Sequence, residues 1–480
     1  MQSIVQPARW SVAPETVIEA LGADRAGAVL LRSASFDTVP ARYSLLAPWP
    51  FLRMKVSAGG CQLSAGGRRW NQFGNPWQLL EELMARYEVL DEMDVPFPLG
   101  GCFGVWGYEL KNAVEPRLAR LAVNDLDLPE AVLGFHDALL VFDHVLGKTW
   151  IISTGVCLDG SRDPALARRR VDQLDDLLQR AAAVKPVDPR GDRRPFDPGP
   201  EIVSNLSREQ FMAMVARAQR YIRSGDIYQV NLAQRFVSSW PGSGWDLFQR
   251  LTAASPAPFA AYLADEDFEL ASSSPELFLH LSGRRIVTRP IKGTRPRSAD
   301  PTRDAQLTYE LQTSAKEMAE LVMITDLLRN DLGRICEFGS VQVPELVRLE
   351  RYAQVQHLVS TVEGRLRPEV THAGALMRCF PGGSITGAPK IRAMEIIDEL
   401  EPVTRGPYTG ALGYLGFNRE SQLSIVIRAA VCRAGQAWFH AGAGIVADSV
   451  PEAEYEETLA KAAGWRAALA RGAVGHFAPH

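Results

Sequence analysis

Two rhythms of apolar and polar positions run along the chain, one with a period near two and one near three and a half, and together they lay out its elements. In the first third, Val29-Leu30-Leu31 and Tyr43-Ser44-Leu45-Leu46 read as short strands joined by a polar turn. Residues 76–90 carry Leu79, Leu80, Leu83, Tyr87 and Leu90 at helical spacing, with Asn75 placed as N-cap. A glycine-rich apolar segment follows at 99–109. Residues 138–153 predict a hairpin turning at Gly147-Lys148, and 164–183 an amphipathic helix. Pro186, Pro189, Pro195, Pro198 and Pro200 then interrupt a charged stretch without apolar period. That predicts a linker over 185–200 between an N-terminal region, 1–184, and a second region, 201–475.

Beyond the linker the spacing predicts a helix over 207–224, with Ser207 and Gln210 as a capping box, and a turn feeding a strand at 225–234. A hairpin follows, with Leu277, Leu279 and Leu281 on one arm and Ile286 and Thr288 on the other. One long helix is expected over 308–332, then a glycine loop at 381–390 opening into a helix that ends near 400. Strands at 423–432 and 437–445 and a terminal helix over 451–470, capped by Ser449 and Glu452, complete the series.

Composition narrows the class without naming it. The 480 residues are 46% hydrophobic and 22% charged with a net charge of −4, which gives no basic excess for nucleic acid and no acidic tail. No apolar run is long enough to cross a bilayer and the N-terminus lacks a signal-peptide pattern, so a cytoplasmic location is expected. Six dispersed cysteines without a C-x-x-C pair suggest neither a disulfide framework nor a zinc site. Gly100 to Gly104 fits a G-x-C-x-G elbow around Cys102, and Cys157 sits in a similar fragment. Neither has the histidine base in sequence that a thiol nucleophile needs, so both are read as structural.

The chemistry concentrates in a few stretches. Residues 288–297, Thr-Arg-Pro-Ile-Lys-Gly-Thr-Arg-Pro-Arg, hold Lys292 at a strand end between Pro290, which fixes φ, and Gly293, which permits φ > 0. Such a lysine, with Arg289, Arg295 and Arg297 nearby, is either a nucleophile beside an anion site or a solvated basic edge. Glu317 with Glu320, and Glu454 with Glu457, each lie three apart and share a helix face. Four such carboxylates either hold a hard divalent cation or are simply solvated. Residues 442–449 end a strand in small residues before a helix, leaving backbone N–H groups that suit a carboxylate. The loop 381–390 brings three glycines and the hydroxyls of Ser384 and Thr386 to a helix start; it fits no Walker motif.

Taken together, residues 227–232, 273–276, 289–297, 326–334, 381–390 and 442–457 resemble the motifs of the chorismate-utilising enzymes, closely over 207–461 and loosely over the whole chain. The resemblance implies an α+β fold, a large antiparallel β-sandwich with helices packed on the outside. Isochorismate and salicylate synthases of that family carry a lysine where this chain has Gln229, and anthranilate synthases an alanine where it has Lys292. The pattern is most similar to the aminodeoxychorismate synthase component I branch of p-aminobenzoate and folate biosynthesis, with anthranilate synthase component I the alternative. It implies that Lys292 attacks chorismate, that Glu276 is the general acid, and that ammonia from a separate glutamine amidotransferase subunit (component II) supplies the nitrogen. A nucleophilic lysine must be neutral, which asks for burial or neighbouring cations; Arg289 and Arg295 are the candidates. The same resemblance makes Glu320 and Glu457 direct ligands of Mg2+, with Glu317 and Glu454 beside them, and places His357 near the ring. It assigns substrate contacts to Gln229, Thr294, Thr386, Tyr408, Arg428, Gly442 and Lys461. Some relatives bind tryptophan near the position of Leu30 to Ser33, and here Arg32 stands where inhibited anthranilate synthases carry an acid. A catalytically dead homologue is the rival of another class, and it would have lost some of these residues.

Overall fold

The computed structural model describes residues 3–33, 41–90, 93–184, 200–352 and 355–470. The predicted turn after Leu31 and nearly all of the predicted linker, up to residue 199, lie outside the described residues.

Two antiparallel sheets of twelve strands each carry the described chain, and neither belongs to one half of the sequence. The first passes from N-terminal to C-terminal strands where Val29–Arg32 pairs with Phe259–Ala264. The second does so where Gly101–Trp106 pairs with Ala411–Gly416. Strict alternation explains why these strands are apolar on both faces. Val29, Leu45, Leu139 and Val141 turn into the core shared with Phe103, Leu279 and Leu423 of the other sheet. Their neighbours Leu30, Leu46, Leu140 and Phe142 turn outward, beneath Val17 and Ile18 of the helix Pro14–Leu21 and Leu174 and Leu178 of the helix Pro164–Ala183. The architecture is thus two facing sheets with helices on their outer surfaces, which is the α+β sandwich the sequence led us to expect.

Local signals hold at most helix starts. Asn75 accepts a hydrogen bond from the Trp77 N–H at 2.9 Å, and Ser207 with Gln210 forms a full capping box. Four expectations are corrected. The helix after Asn75 ends at Arg86 rather than 90. The long helix over 308–332 is two, Pro301–Gln312 and Ala315–Gly333, because Ser314 caps a second start by accepting from the Glu317 N–H. The strand over 423–432 is also two: Glu420–Ile425 lies in the second sheet and Ala429–Arg433 in the first. Finally, no capping box opens the last helix, Pro451–Leu469; the Ser449 hydroxyl is engaged by Glu454 and Glu452 by Arg208. All six cysteines are free, and all but Cys157 are buried.

Candidate active site

A break in strand pairing sets Lys292 in place. The strand Ile291–Pro296 runs along Val355–Arg365, and its register shifts between Lys292 and Thr294. Gly293 absorbs the extra residue at φ +64°, a conformation that favours glycine. A side chain there would also collide: a Cβ would stand 2.7 Å from Leu311 Cδ1 and 3.1 Å from Glu317 Oε2. Lys292 and Thr294 line a cavity of about 740 Å³ that takes walls from both sheets and from the helices Ala315–Gly333 and Pro451–Leu469. That is ample for a small metabolite.

Lys292 and Glu276 share the wall with Ser384. Lys292 Nζ donates to the Ser384 carbonyl at 3.4 Å, and the Glu276 carboxyl lines the same cavity. Glu276 is 5% exposed, and burial raises its carboxyl to about 6 against the pull of Ser384 and Lys292. A carboxyl titrating there holds its proton over part of the range below neutrality. The two arginines expected to act on Lys292 are engaged elsewhere: Arg289 with buried Glu350, and Arg295 with Glu317 at 3.4 Å. Arg289 is not on the wall of this cavity, whereas Arg295 is.

His357 lies in the same wall, with Nδ1 2.8 Å from the Thr294 hydroxyl. Burial, aided by the nearby Arg428 charge, lowers it to about 4, so the ring is neutral near pH 7. Its Nε2 has no hydrogen-bond partner among the described residues, so it is not simply a satisfied core histidine.

The split between Glu420–Ile425 and Ala429–Arg433 delivers Arg428. Its backbone takes φ +50° where the chain crosses from one sheet to the other, and its side chain lines the cavity. Burial pulls the guanidinium below its ordinary range. Its Nη1 donates to the Ser255 hydroxyl at 3.3 Å, and among the described residues no carboxylate pairs with it. A half-buried cation without a counter-ion is a place for an anion to sit. Tyr408, Gly442 and Lys461 are on the same wall; Tyr408 stacks on His440 with centroids 4.9 Å apart, and Lys461 Nζ donates to the Gly442 carbonyl at 2.7 Å.

Glu317, Glu320 and Glu457 also line the cavity. Burial raises Glu320, the Glu317 and Glu457 charges add to that, and Lys292 and Lys316 oppose it. No three His, Cys, Asp or Glu side chains among the described residues close on one point. Magnesium asks for less, since it keeps several waters and takes one or two carboxylates plus substrate oxygens. Mutually repelling oxygen donors around Glu320 fit such an ion. Glu457 here pairs with Lys461 at 2.7 Å, and Glu454 is buried against the Ser449 hydroxyl at 2.7 Å.

Three expected residues stand behind the wall. Glu454 is one. Thr386 is fully buried and donates to the Gly382 carbonyl at 3.1 Å, so the loop's own turn takes its hydroxyl. Gln229 is 0% exposed, and its amide has no partner among the described residues. The wall includes others to which the sequence assigned no role: Asn231, Ser384, Arg405 and His440. Asn231 was legible, as it is two residues from Gln229 on the same strand face. Ser384 was one of the loop's two noted hydroxyls. Arg405 carried no local signal; Glu401 grips it at 2.6 Å, and it spans to the Asn231 carbonyl at 2.8 Å.

The cavity near Leu31, Arg32 and Ser33 holds about 30 Å³, enough for a water but not for an indole, and Arg32 pairs with Glu15 at 2.5 Å. No described helix is long and apolar enough to cross a membrane.

A cavity that gathers a lysine, a protonatable glutamate, an unpaired guanidinium and several carboxylates is that of an enzyme acting on a small anionic substrate. The chain belongs to the chorismate binding enzyme family, whose pattern it matches over residues 59–466. It is 40% identical over 437 residues to aminodeoxychorismate synthase component 1 of Escherichia coli K12, covering 90% of this chain and 91% of that one. It is 37% identical over 437 residues to anthranilate synthase component 1 of Acetivibrio thermocellus, covering 90% and 88%. Among solved structures, anthranilate synthase component I of Streptococcus pneumoniae superposes with a TM-score of 0.75 at 30% identity, covering 90% of this chain and 93% of that one. The menaquinone-specific isochorismate synthase of Escherichia coli shares the fold, with a TM-score of 0.71 at 17% identity over 97% of this chain and 94% of that one.

Proposed function

We propose that the protein is the synthase component of an aminodeoxychorismate synthase, converting chorismate and ammonia to 4-amino-4-deoxychorismate and water. The observation that supports this most is Lys292 in the cavity wall, one residue's width from a buried glutamate with a raised pKa.

The route runs through the chain's own residues. The Lys292 amine, in its unprotonated form, attacks C2 of the ring and forms a C2–N bond as the double bonds shift toward C4. The C4–O bond breaks, and Glu276 gives its proton to the departing hydroxyl, which leaves as water. Ammonia then forms a C4–N bond, the electrons return, and the C2–N bond to Lys292 breaks to restore the free amine. The proton shed by the incoming nitrogen returns to Glu276. Arg428 supplies the positive charge that one substrate carboxylate requires, and the Lys461 ammonium is available to the other. Thr294 holds the neutral ring of His357 against the substrate's position. Glu320 and Glu457 would hold Mg2+, with Glu317 and Glu454 close by; when bound, the ion neutralises the ring carboxylate and fixes its orientation. The ammonia comes from a separate glutaminase subunit, for which ammonium salts substitute in vitro.

The test is to identify the product formed from chorismate, ammonium and magnesium by mass spectrometry. Aminodeoxychorismate without pyruvate is the expected result. Anthranilate with pyruvate would overturn the reading in favour of the other relatives' reaction.

A further inference from the structure

Ammonia has no assigned place in the cavity, and two neutral oxygens beside Lys292 supply one. Their setting begins at Arg405, which is 2% exposed and engages all five of its N–H groups within the wall. Nε and Nη2 donate to Glu401 at 2.8 and 2.6 Å, and Nη2 donates also to the Asn231 carbonyl at 2.8 Å. Nη1 donates to the Ile385 carbonyl and to the Thr409 hydroxyl, each at 3.2 Å. The Asn231 N–H reaches the Thr386 carbonyl at 2.8 Å. One buried cation therefore fixes the strand Gln229–Ser239 at Asn231 against the loop at Ile385, the neighbour of Ser384.

On this fixed backbone the Asn231 amide takes one sense. Its Nδ2 donates to the Ser384 carbonyl at 3.1 Å, the same carbonyl that meets Lys292 Nζ at 3.4 Å. With the nitrogen held there, Oδ1 lies on the side of Gly444, where a Cβ would stand 3.1 Å from it. Asn231, Ser384 and Gly444 all line the cavity, and among the described residues no group donates to Oδ1. We propose that Asn231 Oδ1 and the Ser384 carbonyl form the subsite for the ammonia that attacks C4. Ammonia has three N–H donors and one lone pair, so two donors meet the two oxygens and the lone pair is left for carbon. The carbonyl is first engaged by Lys292. Once Nζ bonds to C2 it leaves that oxygen, which is then open to an incoming N–H, so ammonia takes its place after the adduct has formed. Neither oxygen is basic enough to deprotonate water, whereas ammonia attacks without a base, and the subsite thereby favours nitrogen over solvent.

The subsite rests on the amination reading, and one set of assays keeps the two apart. Initial rates are measured with magnesium at constant pH, varying ammonium chloride and chorismate in turn with the other saturating, and the product is identified by mass spectrometry. Asn231→Leu, close in volume but with neither acceptor nor donor, is expected to raise KM for ammonia about tenfold or more, while KM for chorismate stays within about twofold. Asn231→Ala carries the same test if the leucine variant does not fold. An unchanged KM for ammonia, or a KM for chorismate that rises by the same factor, overturns the proposal. If the wild type releases anthranilate and pyruvate, amination at C4 falls, yet ammonia is still consumed and its KM still decides whether the two oxygens hold it.

Discussion

A half-buried guanidinium with no carboxylate partner among the described residues, as Arg428 is, gives little to folding until an anion meets it. Its placement therefore serves the ligand, and the effect should divide cleanly. Arg428→Met is expected to raise KM for chorismate by about thirtyfold or more, and to leave the thermal midpoint of the unliganded protein unchanged or higher. Isothermal titration and thermal melts of the variant check both halves. Glu276 carries a related conflict. Its carboxyl at about 6 lies above the value for an unfolded glutamate, so the native state holds the extra proton between those two values. The stability this gives is fully present below about pH 4.5 and is lost as pH rises through about 6, a difference of about 2 kcal/mol. Glu276→Gln cannot ionise, so it should be the more stable protein near pH 8 and about equal near pH 4 in denaturant melts, while kcat falls by about 10²–10⁴-fold. For the metal, chelation should abolish turnover, and Glu320→Gln should raise the magnesium concentration needed to restore it by about tenfold or more.

Between elements, the ion pair of Asp331 with Lys390 joins the helix bearing Glu317 and Glu320 to the loop bearing Ser384. Breaking a buried pair leaves one charge stranded, so Lys390→Met alone should destabilise by about 3–5 kcal/mol, and Asp331→Leu with Lys390→Met should recover most of it. Urea denaturation of the single and double variants measures this. The hairpin at Leu277–Ser282 and Arg285–Arg289 was legible in the sequence because its alternation and its Ser282-Gly283 turn are local. So was the special backbone around Lys292, announced by Pro290 and Gly293. What was not legible were interruptions inside continuous apolar rhythm. Residues 423–432 read as one strand because Ile425, Val426 and Ile427 keep the pattern while the chain changes sheets, and only tertiary pairing shows the crossing at Arg428. Residues 308–332 read as one helix because Ser314 looks like any surface serine until its capping bond is seen. Thr386 and Ser384 were indistinguishable in sequence; the turn of the loop takes the Thr386 hydroxyl onto the Gly382 carbonyl and leaves Ser384 on the cavity wall.

For the molecule as a whole, the Pro-rich stretch near residue 190 reads as a divide, yet each sheet is built from strands on both sides of it. Val29–Arg32 and Gly101–Trp106 would become open edges if residues 1–184 were made alone. Fragments 1–184 and 200–480 expressed separately are therefore expected to aggregate, and to yield a soluble complex when produced together, as size-exclusion chromatography would show. The shared sheets also explain how one cavity draws Lys292 from one sheet and Gly442 from the other, with Arg428 from the crossing between them. The role of Lys292 is the centre of this account, and the most direct measurement is the rate of aminodeoxychorismate formation by Lys292→Ala beside the wild type, with chorismate, magnesium and ammonium. The variant is expected to lose about a hundredfold or more, with the fold intact by circular dichroism. Amination at the wild-type rate in the variant would contradict that role.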